Sequence, residues 1–165
     1  MGGDLPEGWP GEVLLEGRTH IHLPGNYVGS EVNLAGPASK KERSVFHNHA
    51  MSGNRTRSVL LMAHEMSVGL LAGDKTVRML DSLAASGVRS LRLCHELPDE
   101  LVKRLDLTLC DLNSNSITWA NTNHQCNHPP ELAGFHPIVG DARQIALSNS
   151  LVSNYNRGYN AFTNP

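Results

Sequence analysis

The stretch TVRMLDSLAASGVRSLR, from Thr76 to Arg92, contains the strongest structural signal in this chain of 165 residues. A β-branched and aliphatic run, Val77 to Leu80, reaches an acid at Asp81, and small residues then lead to Gly87, where a helical pattern begins. This order predicts strand, tight turn and helix, the first half of a βαβ nucleotide-binding unit. Small residues let the backbone approach a ligand, and the first helical N–H groups point toward it. The single glycine does not meet the fingerprint G-x-G-x-x-G, so a turn that binds no ligand stays an alternative.

The segment after this stretch predicts the second half of the same unit. Apolar spacing indicates a helix over Val88–Leu97, residues 99–106 form a polar connection, and Leu107–Cys110 form a second strand. Asp111 follows that strand, near the ~20-residue separation at which a nucleotide-binding fold places an acid for the ribose hydroxyls. A carboxylate suits this role because it only accepts hydrogen bonds and can take both hydroxyls. A helix cap is the alternative role of Asp111.

The flanking segments extend this unit into an α/β chain with a small N-terminal β-hairpin. The two-residue period of EVLLEGRTHIHLP (Glu12–Pro24) predicts the hairpin, after a frayed segment at residues 1–11 that is rich in glycine and proline. Further patterns predict a loop over residues 25–44, helices over Thr56–Leu71 and Ser114–Gln125, and a third strand over Pro137–Val139. We therefore divide the chain into an N-terminal extension, residues 1–37, and a nucleotide-binding domain, residues 38–165.

Composition excludes several classes of protein. The net charge is -2 at pH 7, so no overall basic field predicts nucleic-acid binding. No apolar run approaches the ~20 residues of a membrane span, and no signal peptide follows Met1. The widely spaced Cys94, Cys110 and Cys126 predict unpaired thiols in a reducing compartment. We expect a soluble, cytoplasmic and monomeric protein.

The histidines lack the spacing of a metal site, so we predict no metal. His20 and His22 share one face of the predicted hairpin strand, but no third ligand follows with strict spacing. His64 and Glu65 begin the metalloprotease motif H-E-x-x-H, whose second histidine is absent. Residues 124–128 hold two histidines and a cysteine but lack further ligands.

Basic residues gather near the start of the helix predicted over Thr56–Leu71, and a single acid, Glu42, accompanies them. Arginines beside a helix N-terminus supply donors to a carboxylate or phosphate, and a solvated charged loop is the alternative. The group consists of Lys40, Lys41, Arg43, Arg55 and Arg57.

Several motifs, taken in order, resemble the family of tRNA (guanine-26) N2-dimethyltransferases, which use S-adenosylmethionine. The resemblance covers roughly residues 12–142 and is carried by EGRTHIHLP, VFHNHAMSGNRTRSVLL, LDSLAASGVRSLR, Asp111 with Asn113, and GDA at 140–142. The second and third segments are similar to the family's F-Y-N-P…M-x-x-N-R-D and L-D-A-L-x-A-x-G-x-R-x-x-R. The resemblance implies an incomplete, Rossmann-like class I methyltransferase sheet, with residues 38–165 as the N-terminal part of the S-adenosylmethionine-binding domain.

The same resemblance implies roles for individual residues. Those implied to bind the cofactor, S-adenosyl-L-methionine, are Arg55, Arg89, Asp111, Asp141 and Ala142. Asp111 would bind the ribose, and the last two would bind the adenine. Phe46 and Asn48 match the family's segment beside the target guanine, so Phe46 would stack on the flipped base.

The chain departs from the family pattern at functional positions. His49 and Thr56 replace a Pro and an Asp of the family's second motif. The family's D-P-F-G motif, which supplies the catalytic Asp at the fourth strand, is missing. A fourth strand is predicted to begin at Tyr159, and the sequence ends at Pro165. We therefore expect an inactive fragment whose catalytic residue lies at or beyond Asn164.

Methyl transfer from S-adenosylmethionine to N2 of a guanine in tRNA, by mono- and dimethylation, is the first functional hypothesis. The alternative is a nicotinamide-dependent oxidoreductase fragment, which the βαβ order and Asp111 favour and the missing G-x-G-x-x-G opposes. A non-catalytic module that binds cofactor or RNA is the third hypothesis, because the predicted sheet is incomplete.

Overall fold

A three-stranded parallel sheet and a two-stranded antiparallel hairpin form the framework of the chain in this computed structural model. The structure describes residues 5–25, 45–73 and 75–147. The elements are β1 (Glu12–Glu16), β2 (Thr19–Leu23), α1 (Ser52–Ser67), β3 (Val77–Asp81), α2 (Val88–Glu96), α3 (Asp99–Val102), β4 (Leu105–Asp111), α4 (Ser114–Asn127), β5 (Gly134–Val139) and α5 (Ala142–Leu147).

The parallel sheet has the order β3-β4-β5, so each strand pairs with the next one along the chain. Leu80 pairs with Thr108 and Leu109 pairs with Pro137, which brings the carboxyl ends of all three strands to one edge. The central strand β4 is buried at most positions, as expected for a parallel strand covered on both faces. The predicted α/β class and the strand, turn and helix at Thr76–Arg92 are confirmed.

The larger apolar core packs α1, α2 and α3 against β3, β4 and the start of α4. Met66 of α1, Leu93 of α2 and Leu107 of β4 are each at most 2% exposed within it. Because this core fills the space behind the sheet, it fixes α2 and α4 relative to the strands they connect. The same packed core therefore lies behind all three strands.

Several element boundaries differ from those predicted. Helix α1 begins at Ser52 because a short 3-10 helix over His49–Met51, capped by the Asn48 side chain, leads directly into it. The polar connection predicted over residues 99–106 is wrong, because it contains α3 and the start of β4. Leu101 and Val102 are buried there and supply the missing apolar contacts.

The hairpin packs on α2 and α4 and closes a second, smaller apolar core. The fully buried Trp119 lies at its centre, and its other buried members are Ile21, Leu23, Val45 and Val88. Trp9 stacks on His22, with ring centroids 4.5 Å apart, and lies 5.4 Å from the Trp119 ring. The fraying predicted for residues 1–11 is therefore wrong over residues 5–11. The predicted boundary between residues 37 and 38 lies outside the described residues.

Asparagine side chains of α4 bond to the backbone of β2. The Asn123 carboxamide accepts from the His22 N–H at 2.8 Å and donates to the His22 carbonyl at 2.9 Å. Asn127 donates to the His20 carbonyl at 2.9 Å in the same manner. These carboxamides hydrogen-bond to backbone groups on the edge of β2 that faces away from β1. They therefore join the hairpin to α4, as backbone hydrogen bonds join neighbouring strands of a sheet.

Within the described ranges, no helix combines the length and the apolar character that a membrane crossing requires.

Candidate functional site

The carboxyl ends of β3, β4 and β5 are joined by hydrogen bonds at one edge of the sheet. The Ala84 N–H donates to the Cys110 carbonyl at 3.0 Å, which ties the loop after β3 to the end of β4. The Gly140 N–H donates to the Asp111 carbonyl at 2.9 Å, which ties the end of β5 to the same place. The sequence segments that end at Asp81, Asp111 and Asp141 therefore converge, as a shared ligand site requires.

The loop between β3 and α2 lies close to α4 at Gly87. This residue has φ +77° and precedes the first residue of α2. A Cβ placed there would lie 3.1 Å from Ala120 Cβ and 3.3 Å from its Cα. Glycine is therefore required both for the left-handed backbone and for the close packing of helix on helix.

We expect Gly87→Ala to destabilise the protein more than Gly69→Ala, which is its matched control. Both glycines are left-handed, with φ +77° and +74°, but nothing lies within 4 Å of a Cβ at Gly69. Both variants lose about 1–2 kcal/mol to backbone strain. The crowding against Ala120 adds roughly 1 kcal/mol at Gly87. Denaturant unfolding of the two variants measures the difference, and equal losses would contradict the packing argument.

Asp111 receives backbone donors from two directions. The Ala85 N–H donates to its Oδ2 at 3.0 Å, and the Asn113 N–H donates to its Oδ1 at 2.9 Å. Each carboxylate oxygen has about two acceptor positions, so both oxygens retain capacity for a further donor such as a ribose hydroxyl. Asn113, and not Asp111, provides the cap of α4, since its side chain accepts from the Asn115 N–H at 3.0 Å.

The other two strand-end acids have contrasting environments. Burial raises the pKa of Asp81 above its usual range, while the positive charge of Arg89 and a hydrogen bond from Ser90 oppose this shift. Asp141 is more accessible, and hydrogen bonds from Arg143 lower its pKa to about 2. Ala142 follows as the first residue of α5 and is half-buried. Asp81 thus bonds within the β3–α2 connection, whereas Asp141 bonds to Arg143.

The two arginines implied by the resemblance lie in different places. Arg89, in the first turn of α2, donates from Nη1 to Ser58 Oγ at 2.5 Å, and its charge acts on Asp81 at the strand end. Arg55 of α1 is buried, and its Nε donates to Glu16 Oε1 at 2.6 Å. Its Nη2 donates to Glu16 and to the Asn48 carbonyl, so the guanidinium is held mainly by protein groups.

Phe46 and Asn48 lie on the segment that leads through the short 3-10 helix into α1. Phe46 is 61% exposed, whereas its neighbour Val45 is buried in the smaller core with Val88, the first residue of α2. The Asn48 side chain accepts from the Ala50 N–H at 2.9 Å. This packing places the segment next to the start of α2, on the side where the strand ends meet.

Sequence reasoning missed three residues of the site. Leu83 and Leu112, which follow β3 and β4, are 82% and 74% exposed, so apolar surface flanks the strand-end acids. Glu16 is buried and pairs with arginines of both α1 and α2. A sequence signal existed for Glu16, because the two-residue period of β1 puts it on the same face as the partly buried Leu14.

One group among the described residues has the proximity of metal ligands. Atoms of Glu16, His47 and His49 lie within 4.8 Å of one another. Two guanidinium groups, those of Arg55 and Arg92, already neutralise the Glu16 carboxylate and would repel a cation. The lysines and Arg43 of the predicted basic group, the predicted strand at Tyr159 and the predicted catalytic position near Asn164 lie outside the described residues.

Two comparisons with known proteins give a match to this chain. A family model described as N2,N2-dimethylguanosine tRNA methyltransferase matches residues 19–156. Among solved structures, the chain is similar to Trm1 from Pyrococcus horikoshii in complex with S-adenosyl-L-methionine, at 21% identity and a TM-score of 0.47. That similarity covers 73% of this chain and 24% of the Pyrococcus chain, so the sequence spans about a quarter of that relative.

A comparison with curated proteins finds no match. The family model, however, extends from the second hairpin strand past α5 and thus includes all three strand ends. Because this match covers most of its length, the chain belongs to the N2,N2-dimethylguanosine tRNA methyltransferase family.

Proposed function

We propose that these residues form the cofactor-binding part of an S-adenosylmethionine-dependent enzyme that methylates N2 of a guanine in tRNA, once or twice. The observation that carries the proposal is the convergence of three acid-bearing strand ends in a chain of this family. The cofactor supplies an electrophilic methyl group when bound. The nicotinamide alternative has no comparable support, since the family is one of methyltransferases.

The strand ends would bind the adenosyl part of the cofactor. Asp111 retains acceptor capacity toward the ribose hydroxyls, and Asp141 with Ala142 lies one strand further along the same edge. Leu112 offers exposed apolar surface next to Asp111, which suits the face of a purine. Arg143 would have to share Asp141, and their exposed ion pair is screened by solvent and can rearrange.

The arginines and the segment before α1 would bind the rest of the cofactor and the target base. Arg89 is placed at the start of α2, where a cation and helical N–H groups together favour a carboxylate. Arg55 remains a proposed cofactor contact, through the part of its guanidinium that Glu16 does not hold. The exposed Phe46 ring would stack on an extruded guanine, with Asn48 beside it.

Methyl transfer of this kind depends on alignment more than on proton transfer. The protein has to hold the amine in line with the methyl group and stabilise the changing charge. The family's catalytic Asp would belong to the fourth strand, outside the described residues. We also propose that the protein acts as a monomer in the cytoplasm.

We expect Asp111→Asn to weaken binding of S-adenosylhomocysteine by roughly tenfold or more, because charge-assisted hydrogen bonds are about twice as strong as neutral ones. Asp106→Asn is the matched control, since Asp106 lies near the other end of the same strand, where it pairs with Arg78. Isothermal titration calorimetry measures both variants, with NADH as a second ligand. Unchanged affinity in Asp111→Asn, or tight binding of NADH, would contradict the assignment.

The activity itself is tested by mass spectrometry of tRNA nucleosides from cells that lack the protein carrying this sequence. We expect N2,N2-dimethylguanosine to disappear and to return on complementation. Unchanged levels would refute the proposed activity. Cofactor binding without turnover by purified full-length protein would instead support a non-catalytic module.

A further inference from the structure

The segment Val45–Asn48 presents one aromatic ring to solvent and is anchored by the residues on either side of it. Val45 and His47 are 1% and 3% exposed, whereas Phe46 between them is 61% exposed. Val45 packs in the smaller core, and His47 Nε2 lies 3.6 Å from Glu16 Oε2. The direction of the Phe46 ring therefore depends on how firmly its two neighbours are held.

The contacts that hold this segment meet at the Glu16 carboxylate. This carboxylate accepts from Arg55 Nε at 2.6 Å and from Arg92 Nη1 at 3.2 Å, so it joins the hairpin to α1 and α2. The same arginines donate onward to backbone carbonyls, Arg55 to Asn48 at 3.0 Å and Arg92 to Ser52 at 3.3 Å. One carboxylate thus fixes both ends of the turn that carries the segment into α1.

Stability alone does not explain a buried charge of this kind. Replacing a buried ion pair by apolar residues of similar volume is often neutral or stabilising, so such a network contributes geometry more than free energy. Burial would raise the pKa of Glu16, but hydrogen bonds from Arg55 and Arg92 outweigh it and keep the pKa below its usual value. Glu16 is therefore an anion at neutral pH, and its two arginine partners have fixed directions.

We propose that Glu16 is a positioning residue for the target base, acting through Arg55 and His47 to hold Phe46 in the orientation that stacks on guanine. This inference rests on the proposed function, because it assigns Phe46 to the substrate. It assigns to the hairpin a role in tRNA guanine recognition, although Glu16 itself touches no substrate.

The test uses Glu16→Asp in the full-length protein, with Glu96→Gln as the matched control. Aspartate keeps the charge but is one methylene shorter, so Arg55 and the turn must shift to reach it. Glu96 holds Arg92 at 2.6 and 2.9 Å but lies on the far side of that guanidinium from the segment. We expect Glu16→Asp to reduce kcat/KM for tRNA by roughly 10- to 100-fold, the size of effect that a misplaced group has. Glu96→Gln leaves it within about twofold of wild type.

Two further readouts separate positioning from a general loss of structure. In a Phe46→Ala background, Glu16→Asp is expected to add little, because its effect passes through that ring. Amide hydrogen exchange at Phe46–His49 is expected to accelerate in Glu16→Asp and not in Glu96→Gln, while exchange in β4 stays unchanged. If Glu16→Asp does not fold, Glu16→Gln, which keeps the length of the side chain and removes its charge, is tested in the same way.

Additive losses with Phe46→Ala, unchanged exchange at Phe46–His49, or a loss confined to S-adenosylhomocysteine affinity would each overturn the inference. A wild-type protein that transfers no methyl group would refute the proposed function instead. The exchange measurement still decides in that case whether Glu16 holds the segment.

Discussion

Arg55→Met is expected to lower the free energy of unfolding by roughly 3 kcal/mol, because removing one partner of a buried ion pair leaves the other charge poorly compensated. Arg55 is 7% exposed and Glu16 is 3% exposed, so water cannot replace the lost donors. The Asn48 carbonyl also loses its Arg55 donor. The expected loss lies at the lower end of the range for such pairs, since Arg92 remains bonded to Glu16.

The matched control is Arg78→Met, which makes the same substitution in an exposed pair. Arg78 Nε lies 3.4 Å from Asp106 Oδ2, and the Arg78 side chain is 50% exposed. Exposed pairs contribute about 0–1 kcal/mol, so this variant should unfold close to wild type. Urea denaturation followed by circular dichroism gives both values. Similar losses in the two variants would show that burial does not govern the strength of the Arg55 pair.

Lowering the pH from 7 to 5 is expected to destabilise the protein by roughly 2 kcal/mol through His47 alone. Burial lowers the pKa of His47 from 6.5 to about 4. The positive charge of Arg55 also lowers this pKa, whereas the negative charge of Glu16 raises it. The unfolded chain takes up a proton near pH 6.5 and the folded chain only near pH 4. Stability is therefore complete above pH 6.5 and falls as the pH drops through that interval.

His47→Gln tests this dependence, because glutamine stays neutral while preserving polar character. We expect stability in this variant to change less between pH 7 and pH 5 than in wild type. His49→Gln, two residues away and exposed, should reduce the slope less, since His49 contributes least to the lowered pKa of His47. His124 adds to the wild-type slope, since burial lowers its pKa to about 4 as well. Asp81 acts in the opposite direction through its raised pKa, so only the comparison between variants isolates His47. Equal slopes in the two variants would contradict the prediction.

The elements around the strand ends were predictable because their signals are local. In Thr76–Arg92, β-branched residues, small residues and a helical period follow each other without interruption, and β3, its loop and α2 form there. Helix α3 was missed because DELV has only two apolar residues and no periodic repeat to indicate a buried turn. Its helical state depends on the core that receives Leu101 and Val102.

The contacts of the candidate site were less predictable, since they join distant parts of the chain. Asp111 and Asp141 occupy the strand ends at which they were expected, because parallel strands bring their carboxyl ends together. The pairing of Arg55 with Glu16 depends on how the hairpin docks, and no local pattern specifies that partner. The roles assigned to these residues in binding cofactor and guanine remain proposals.

The carboxamide of Asn123 has a consequence for the order in which the chain assembles. Its two bonds to His22 join residues 101 positions apart. During synthesis from the N-terminus, the hairpin therefore emerges long before α4. Ile21 and Leu23 stay incompletely covered until Trp119 of that helix has left the ribosome. Contacts of such sequence separation close late, so docking of the hairpin is expected to limit the rate of folding. A nascent chain halted before Trp119 would offer that apolar face to chaperones.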